Sequence, residues 1–214
     1  SRNKNKPFFL YLSYTSPHKP VIPLPEFRGQ GKAGAYGEFM IETDHHVGEI
    51  LETLDKENIS ENTLVIFSSD NGPENTWGER AKKYKHQSNY TFRGGKRSIY
   101  EGGHRVPFFV RWPIKIQSDQ KSNAPICQTD IFATIAEVID KKIPTQFAED
   151  SNSFFKELTD QNSKESRPAI IHHSSSGRFA IREDKWKLVM EGRKKSEKRE
   201  LYDLINDPKE KTNV

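Results

Sequence analysis

The sequence predicts an α/β fold in which a mostly parallel sheet is flanked by helices and followed by a small antiparallel β subdomain. Helical spacing over residues 36–57 leads into an apolar run at 63–67, which is the strand–helix–strand rhythm of a parallel sheet. After Pro168, short apolar runs follow one another with only turns between them, as in an antiparallel meander. We therefore expect a core over residues 1–166 and a subdomain over residues 167–214.

Three apolar runs, at residues 7–13, 63–67 and 108–112, are predicted to be buried strands. Each has the length of a strand and is closed by turn-forming residues. A proline-rich loop that cannot be helical follows the first run and carries His18. Ligands of open α/β sheets bind beyond the carboxyl ends of the strands, so His18 is predicted to face the same site as the residues after 63–67.

Two segments have apolar residues at helical spacing, residues 36–57 and residues 128–139. Residues 73–92 are polar and show no period, which predicts a loop that faces an active site. Residues 140–166 are predicted to be mostly loop, with one short helical turn near Phe154.

His45 and His46 adjoin each other on the first predicted helix. Neighbouring side chains on a helix point about 100° apart, so these two do not form the chelating pair that a four-residue spacing gives. Asp44, His45 and Glu49 are interpreted as a solvated or packing-supporting face of the helix.

Composition and charge narrow the functional classes. The 214 residues are 33% hydrophobic and 30% charged, with a formal net charge of +4. The basic residues do not form one arm, so no nucleic-acid partner is predicted, and a basic groove for an anionic substrate fits the surplus. The lone Cys127 excludes an internal disulfide and a cysteine zinc cluster. No apolar run approaches 18 residues, so no membrane span is expected.

Two oxygen-bearing side chains, Asp70 and Asn71, come directly after the predicted strand at 63–67. Gly72 and Pro73 then turn the chain away. A carboxylate and a carboxamide are hard donors that suit Ca²⁺, or alternatively Mg²⁺. The other interpretation is an Asx turn that caps the strand.

A glycine-rich basic loop follows. Gly-Gly pairs at positions 94–95 and 102–103 permit tight turns and close approach to a ligand. Lys96, Arg97 and His104 lie beside them, and cationic donors on such a loop suit a tetrahedral oxyanion. The alternative is a basic surface loop.

These motifs, in this order, resemble those of the formylglycine-dependent (type I) sulfatases. The resemblance runs from about residue 7 to the end of the chain and implies the C-terminal portion of such an enzyme. It implies an alkaline-phosphatase-like α/β core with a divalent metal, usually calcium. The segments that carry it are Ser69-Asp70-Asn71-Gly72, Gly94-Gly95-Lys96, Tyr100-Glu101-Gly102-Gly103-His104-Arg105-Val106-Pro107, Phe179-Ala180-Ile181-Arg182, Trp186-Lys187-Leu188, and Leu201-Tyr202-Asp203-Leu204 with Asp207-Pro208-Lys209-Glu210.

The resemblance also implies roles for single residues. Asp70 and Asn71 would be two metal ligands, and Lys96 would contact the sulfate oxygens. His18 would lie beside the sulfate and the leaving-group oxygen. His104 and Arg97 are further substrate-binding candidates beside Lys96.

The family makes its formylglycine from a Cys or Ser in a Cys/Ser-x-Pro/Ala-x-Arg motif, and this motif does not occur in these 214 residues. Cys127 is followed by Gln-Thr-Asp-Ile and does not match it. The paired aspartates that supply the family's other metal ligands are absent as well. The formylglycine and those ligands are therefore expected in an N-terminal part of the same enzyme.

The predicted function is hydrolysis of a sulfuric ester, on a sulfated carbohydrate or a small sulfate ester, with this chain alone expected to be inactive. A phosphatase or phosphodiesterase of the same superfold is one alternative. A non-catalytic module that binds a sulfated glycan is another. The family implies a periplasmic or secreted location. His172 and His173 either reach the substrate or, as we favour, pack at a strand end.

Overall fold

The computed structural model describes residues 6–160, 163, 167–192 and 198–214. They divide into two compact units. The first contains the residues up to Phe67 together with Asn75–Ser88 and Phe109–Ile114. The second contains Ser68–Glu74, Asn89–Phe108 and the residues from Lys115 onward.

The longest element of the first unit is helix α1 (Gly34–Lys56), which confirms the helix predicted from the apolar stripe. Its end is fixed by backbone geometry. Asn58 adopts a left-handed conformation with φ 56°, and the amide of Ile59 donates to the carbonyl of Leu54 at 3.0 Å. This bond belongs to the Schellman motif, in which asparagine can replace the usual glycine.

Strands β1 (Val65–Ser68) and β2 (Phe108–Arg111) pair in a two-stranded sheet, as predicted for both runs. The strand predicted at residues 7–13 is wrong. That run forms no strand among the described residues, and the side chains of residues 8–12 are exposed. An apolar run shows a tendency to be buried in a sheet, but a strand also needs a neighbouring backbone to pair with.

Helix α2 (Trp77–Tyr84) lies where the sequence predicted a loop, so that prediction is wrong. The helix spans only eight residues, so its three apolar residues on one face, Trp77, Ala81 and Tyr84, are too few to show a period in the sequence. A tertiary contact supports it, because the guanidinium of Arg80 lies 3.8 Å from the centroid of the Tyr36 ring.

The second unit contains three further helices, α3 (Glu101–His104), α4 (Asp130–Val138) and α5 (Phe155–Thr159). The last two confirm the predicted helix at residues 128–139 and the predicted turn near Phe154. Arg167 donates to both carboxylate oxygens of the buried Asp130, at 2.9 and 2.7 Å.

Within the described ranges, no helix is long and apolar enough to cross a bilayer.

The predicted antiparallel meander is confirmed. Neighbouring strands pair in the order β3–β4–β5–β6, all antiparallel. Buried residues of the meander pack with Ile99 in one apolar cluster, so the glycine-rich loop and the meander share a core. The strands are β3 (Ile170–His173), β4 (Phe179–Glu183), β5 (Trp186–Val189) and β6 (Glu200–Asp203).

The buried side chain of Asn89 fixes the start of the glycine-rich loop. Its amide nitrogen donates to the carbonyls of Phe92 and Gly94, at 2.8 and 2.9 Å. Both carbonyls would otherwise lack a partner in a tight turn, so the side chain replaces regular backbone pairing.

Candidate functional site

The loop that begins at Ser69 is anchored at the end of β1. The Ser68 hydroxyl donates to the carbonyl of Pro107 at 3.0 Å. The side-chain amide of Gln128, just before α4, donates to the Ser69 carbonyl and to the Ser68 hydroxyl. These bonds fix the position from which Asp70 and Asn71 project.

Gly72 brings this loop against the second glycine pair. Its amide donates to the carbonyl of Gly103 at 3.0 Å. A Cβ atom at position 72 would collide with the carbonyl oxygen of Gly102. Only glycine allows this close approach of two backbones, so the spacing between the two loops depends on it.

Asp70 and Asn71 meet the chemical requirements for part of a hard-cation site. The Nδ2 atom of Asn71 donates to the Gly72 carbonyl at 2.9 Å, which leaves its Oδ1 atom as the available ligand. The Asp70 carboxylate is exposed and has no hydrogen bond or ion pair within the described part of the chain. Two oxygens supply only part of the six to eight that Ca²⁺ takes.

Lys96 is held on the same backbone frame. Its amide donates to the carbonyl of Pro73 at 2.8 Å, so it is tied directly to the Asp70–Pro73 loop. Its side chain is half-buried, and its ammonium group has no ion pair or hydrogen bond with any described residue. An unpaired ammonium on a fixed backbone is suited to bind an incoming anion.

Arg97 adopts a strained backbone conformation with φ 75°, which is unusual for a residue other than glycine. Its guanidinium donates to both carboxylate oxygens of Glu74, at 2.7 and 3.1 Å. Its carbonyl accepts the amide of Ser175, at 3.2 Å, from the turn after β3. Contacts on both sides of Arg97 therefore fix the backbone next to Lys96.

A buried cluster of charges lies beneath the second glycine pair. The ammonium of Lys187 is 3.1 Å from Glu101 Oε1 and 2.8 Å from Glu210 Oε1, and none of the three side chains is more than 4% exposed. Glu210 Oε2 also accepts the backbone amide of Glu101, at 2.7 Å. Burial by itself would raise the pKa of Glu101, but the charges of Lys187 and Arg182 lower it overall.

His104 packs against His172, with 4.3 Å between the ring centroids. Part of the His104 side chain remains exposed. Burial of the rest lowers the pKa of His104, and the charge of Lys187 lowers this pKa further. Burial and Lys187 lower the pKa of His172 to about 4. Both imidazoles are therefore neutral at pH 7, and His104 offers a neutral hydrogen-bonding group.

Five of the six predicted site residues belong to the second compact unit. They are Asp70, Asn71, Lys96, Arg97 and His104. His18 belongs to the first unit, where it is exposed and its Nδ1 atom lies 2.8 Å from the carbonyl oxygen of Lys19.

Sequence reasoning gave no role to Glu74, Ser175, Lys187 or Glu210, which fix the loops of the site. Lys187 and Glu210 do lie in the C-terminal segments that carry the family resemblance. A lysine among the apolar residues of a predicted meander strand was the available signal, because lysine is almost never fully buried without a charged partner.

Comparisons with known proteins identify the family. The Sulfatase family profile matches residues 1–141, and the profile of the C-terminal region of N-sulphoglucosamine sulphohydrolase matches residues 91–214. The chain belongs to the sulfatase family. It has the alkaline-phosphatase-like fold and corresponds to a C-terminal portion.

Individual relatives agree with this assignment. The chain is 36% identical over 228 residues to an N-acetylgalactosamine-6-O-sulfatase of Bacteroides thetaiotaomicron, covering 99% of this chain and 44% of that protein. It is 35% identical over 181 residues to a steryl-sulfatase of Rattus norvegicus, covering 84% of this chain and 31% of the relative.

Solved structures give the same result. A Bacteroides thetaiotaomicron structure described with the metabolism of multiple glycosaminoglycans matches 100% of this chain and 47% of its own, with TM-score 0.87 and 34% identity. Ps i-CgsB in complex with k-i-k-neocarrahexaose matches 100% and 47%, with TM-score 0.81 and 27% identity. The chain thus spans less than half the length of these relatives.

Proposed function

We propose that this chain forms part of an enzyme that hydrolyses sulfuric esters, on a sulfated carbohydrate or a small sulfate ester. The observation that carries the proposal is the Lys96 ammonium, unpaired and fixed by one backbone hydrogen bond to the loop that bears Asp70 and Asn71. The names of the relatives support the substrate class, because they include sulfatases of a sulfated sugar and of a steroid.

Lys96 would donate hydrogen bonds to the sulfate oxygens and stabilise the negative charge that develops as the ester bond breaks. His18 would lie beside the bridging oxygen, where an imidazolium supplies the proton that the departing alkoxide needs. Asp70 and Asn71 would contribute two oxygen ligands to Ca²⁺, or alternatively to Mg²⁺, which when bound neutralises charge on the sulfate group.

His104 and Arg97 would contact the rest of the substrate. His104 offers a neutral imidazole beside the glycine pair. Arg97 uses two N–H groups on Glu74, and a guanidinium has five, so further donors remain for an anionic group.

We further propose that turnover requires the formylglycine and additional metal ligands, supplied by an N-terminal part of the same enzyme. The 214 residues alone should therefore not hydrolyse a sulfate ester, even with Ca²⁺ present. We also propose that residues 1–166 belong to the α/β core and residues 167–214 to the C-terminal subdomain. Because sulfated glycans are extracellular, we propose a periplasmic or secreted location.

The test is sulfate release from aryl sulfates and sulfated sugars by the complete enzyme that contains this chain, compared with its Lys96→Ala and Lys115→Ala variants. Lys115 is an exposed lysine of the same unit and serves as the control. Loss of the unpaired ammonium should lower kcat/KM about 10²–10³-fold, with the control unchanged. Equal activity of all three proteins would contradict the role of Lys96.

Two outcomes would replace the proposal. Faster hydrolysis of phosphate esters, with zinc in the purified protein, would favour a phosphatase or phosphodiesterase of the same superfold. Salt-sensitive binding of a sulfated glycan by the native protein, without any product, would favour a binding module that uses the same cationic loop.

A further inference from the structure

Helix α1 carries a cluster of possible metal ligands that the sulfatase function does not use. It consists of His45, His46 and Glu49, whose ligand atoms all lie within 4.8 Å of one another. Within the described part of the chain, no other group of three or more His, Cys, Asp or Glu side chains meets that criterion. All three residues belong to the first compact unit.

The distances in this cluster fit a transition-metal ion. His46 Nδ1 lies 2.8 Å from Glu49 Oε2, and His45 Nε2 lies 3.7 Å from Glu49 Oε1. Ligand bonds of about 2 Å in a tetrahedral zinc site place neighbouring ligand atoms roughly 3.3 Å apart. The two observed distances, which involve different oxygens of Glu49, lie on either side of that value.

His45 and Glu49 are exposed, as expected of the solvated helix face predicted from the sequence. Adjacent histidines do not face each other on a helix, but Glu49 follows His45 by four residues and His46 by three. Both spacings bring side chains together, so the two imidazoles converge on one carboxylate.

Neighbouring side chains restrict the two imidazole rings. The buried Phe27 ring lies 5.3 Å from the His45 ring and 6.2 Å from the His46 ring, measured between centroids. Behind His46, Glu42 Oε1 lies 3.9 Å from Nε2. Glu42 is itself buried and accepts the amide of Leu24 at 2.9 Å.

Glu42 lies on the side where outer-shell carboxylates stand in natural sites, and a rotation of the His46 ring would be needed to form the hydrogen bond that such sites have. The site is also accessible. The side chains of His45, His46 and Glu49 are 53%, 36% and 59% exposed, so an ion can enter from solvent and keep an open position.

We propose that His45, His46 and Glu49 bind a Zn²⁺ ion, with the remaining coordination position open to water or to a ligand group. Two imidazoles and one carboxylate suit zinc and are a poor donor set for Ca²⁺. The proposed site therefore differs in chemistry from Asp70 and Asn71. It does not depend on sulfatase activity.

The experiment is calorimetric titration of the native protein with ZnCl₂, repeated with single variants. His45→Ala and Glu49→Gln remove direct ligands and should each weaken binding about 100-fold. Glu42→Gln keeps the hydrogen bond to Leu24 but removes the outer charge, and should weaken binding about tenfold. His86→Ala replaces an exposed histidine of the same unit and should leave the affinity unchanged.

Replacing Zn²⁺ by Co²⁺ adds a direct readout, since the visible absorption of a four-coordinate Co²⁺ ion should be lost in His45→Ala and retained in His86→Ala. Helical circular dichroism verifies that the variants are folded. The proposal is overturned if the native protein takes up no Zn²⁺, or if His45→Ala and Glu49→Gln bind it as tightly as the parent. In either case the three residues are only helix ion pairs.

Discussion

Lys187 and Lys96 lie in the same compact unit, but their ammonium groups have opposite surroundings. Lys187 is fully buried between Glu101 and Glu210. Lys96 is half-buried and has no partner among the described residues. The charge of Lys187, which supports the loops, is therefore balanced by carboxylates. Lys96, which we expect to bind the substrate, remains unpaired among the described residues.

Backbone hydrogen bonds also connect the loops that carry the two lysines. Glu101 begins α3, which contains the Gly102–Gly103 pair, and Gly103 accepts the amide of Gly72 in the Asp70 loop. The buried charges therefore hold the turn on which the candidate site rests.

The largest effect on stability is expected for Lys187→Met. The substitution leaves Glu210 buried without its cation and Glu101 with the longer contact to Arg182, at 3.6 Å. Breaking a buried pair in this way costs about 3–5 kcal/mol of unfolding free energy. Lys185→Met is the matched control, because the Lys185–Asp203 pair at 2.9 Å is partly exposed and should cost no more than about 1 kcal/mol. Equal losses in denaturant titrations would show that burial does not distinguish the two pairs.

An intermediate effect is expected from acidification, through His172. Its pKa is about 4 in the folded protein and about 6.5 when unfolded, so the unfolded state binds more protons between these values. The free energy of unfolding should keep its full value above pH 6.5 and fall by about 3 kcal/mol as the pH drops towards 4.

His172→Asn should flatten this part of the stability–pH curve, and His173→Asn, at the exposed neighbouring residue, should leave it unchanged. The groups that face His172 are His104, Lys187 and Glu101, so each stability–pH curve is measured with these three intact. If the stability–pH curve of His172→Asn has the same slope as that of the parent protein, protonation of His172 does not cause the loss of stability.

The smallest effect is expected for Asp70→Asn, which should change the unfolding free energy by less than about 0.5 kcal/mol, because the carboxylate has no described partner to lose. Asp130→Asn provides the contrast, since it weakens a buried bidentate pair with Arg167 and should cost several times more. A large loss of stability in Asp70→Asn would show that Asp70 is structural.

The sequence predicted the parts of the fold that depend on local patterns. The apolar stripe of α1 and the short runs of β3 to β6 each bury one face, so their periods are visible in the chain. Helix α2 is only eight residues long, too short for its apolar residues to show a period, and was missed. The run at 7–13 was assigned to a strand on its composition alone, although pairing depends on another backbone.

The same limit applies to the site. Asp70, Asn71 and Lys96 could be proposed because they stand in short motifs after a strand or between glycines. The Lys187 cluster could not, because its contacts join residues 86 and 109 positions apart in the chain. A local sequence pattern does not show which distant residues pair with one another. The pairing of Lys187 nevertheless fixes the geometry of the loops.

The hydrogen bonds of Asn89 have a consequence for glycosylation. The chain has two Asn-x-Ser/Thr triplets, at Asn58 and at Asn89. The Asn89 nitrogen is buried and already donates to two carbonyls, so the folded protein cannot present it to a glycosyltransferase. Asn58 is exposed at the end of α1. In a host that glycosylates asparagine, a sugar added to the folded chain would therefore be attached at Asn58.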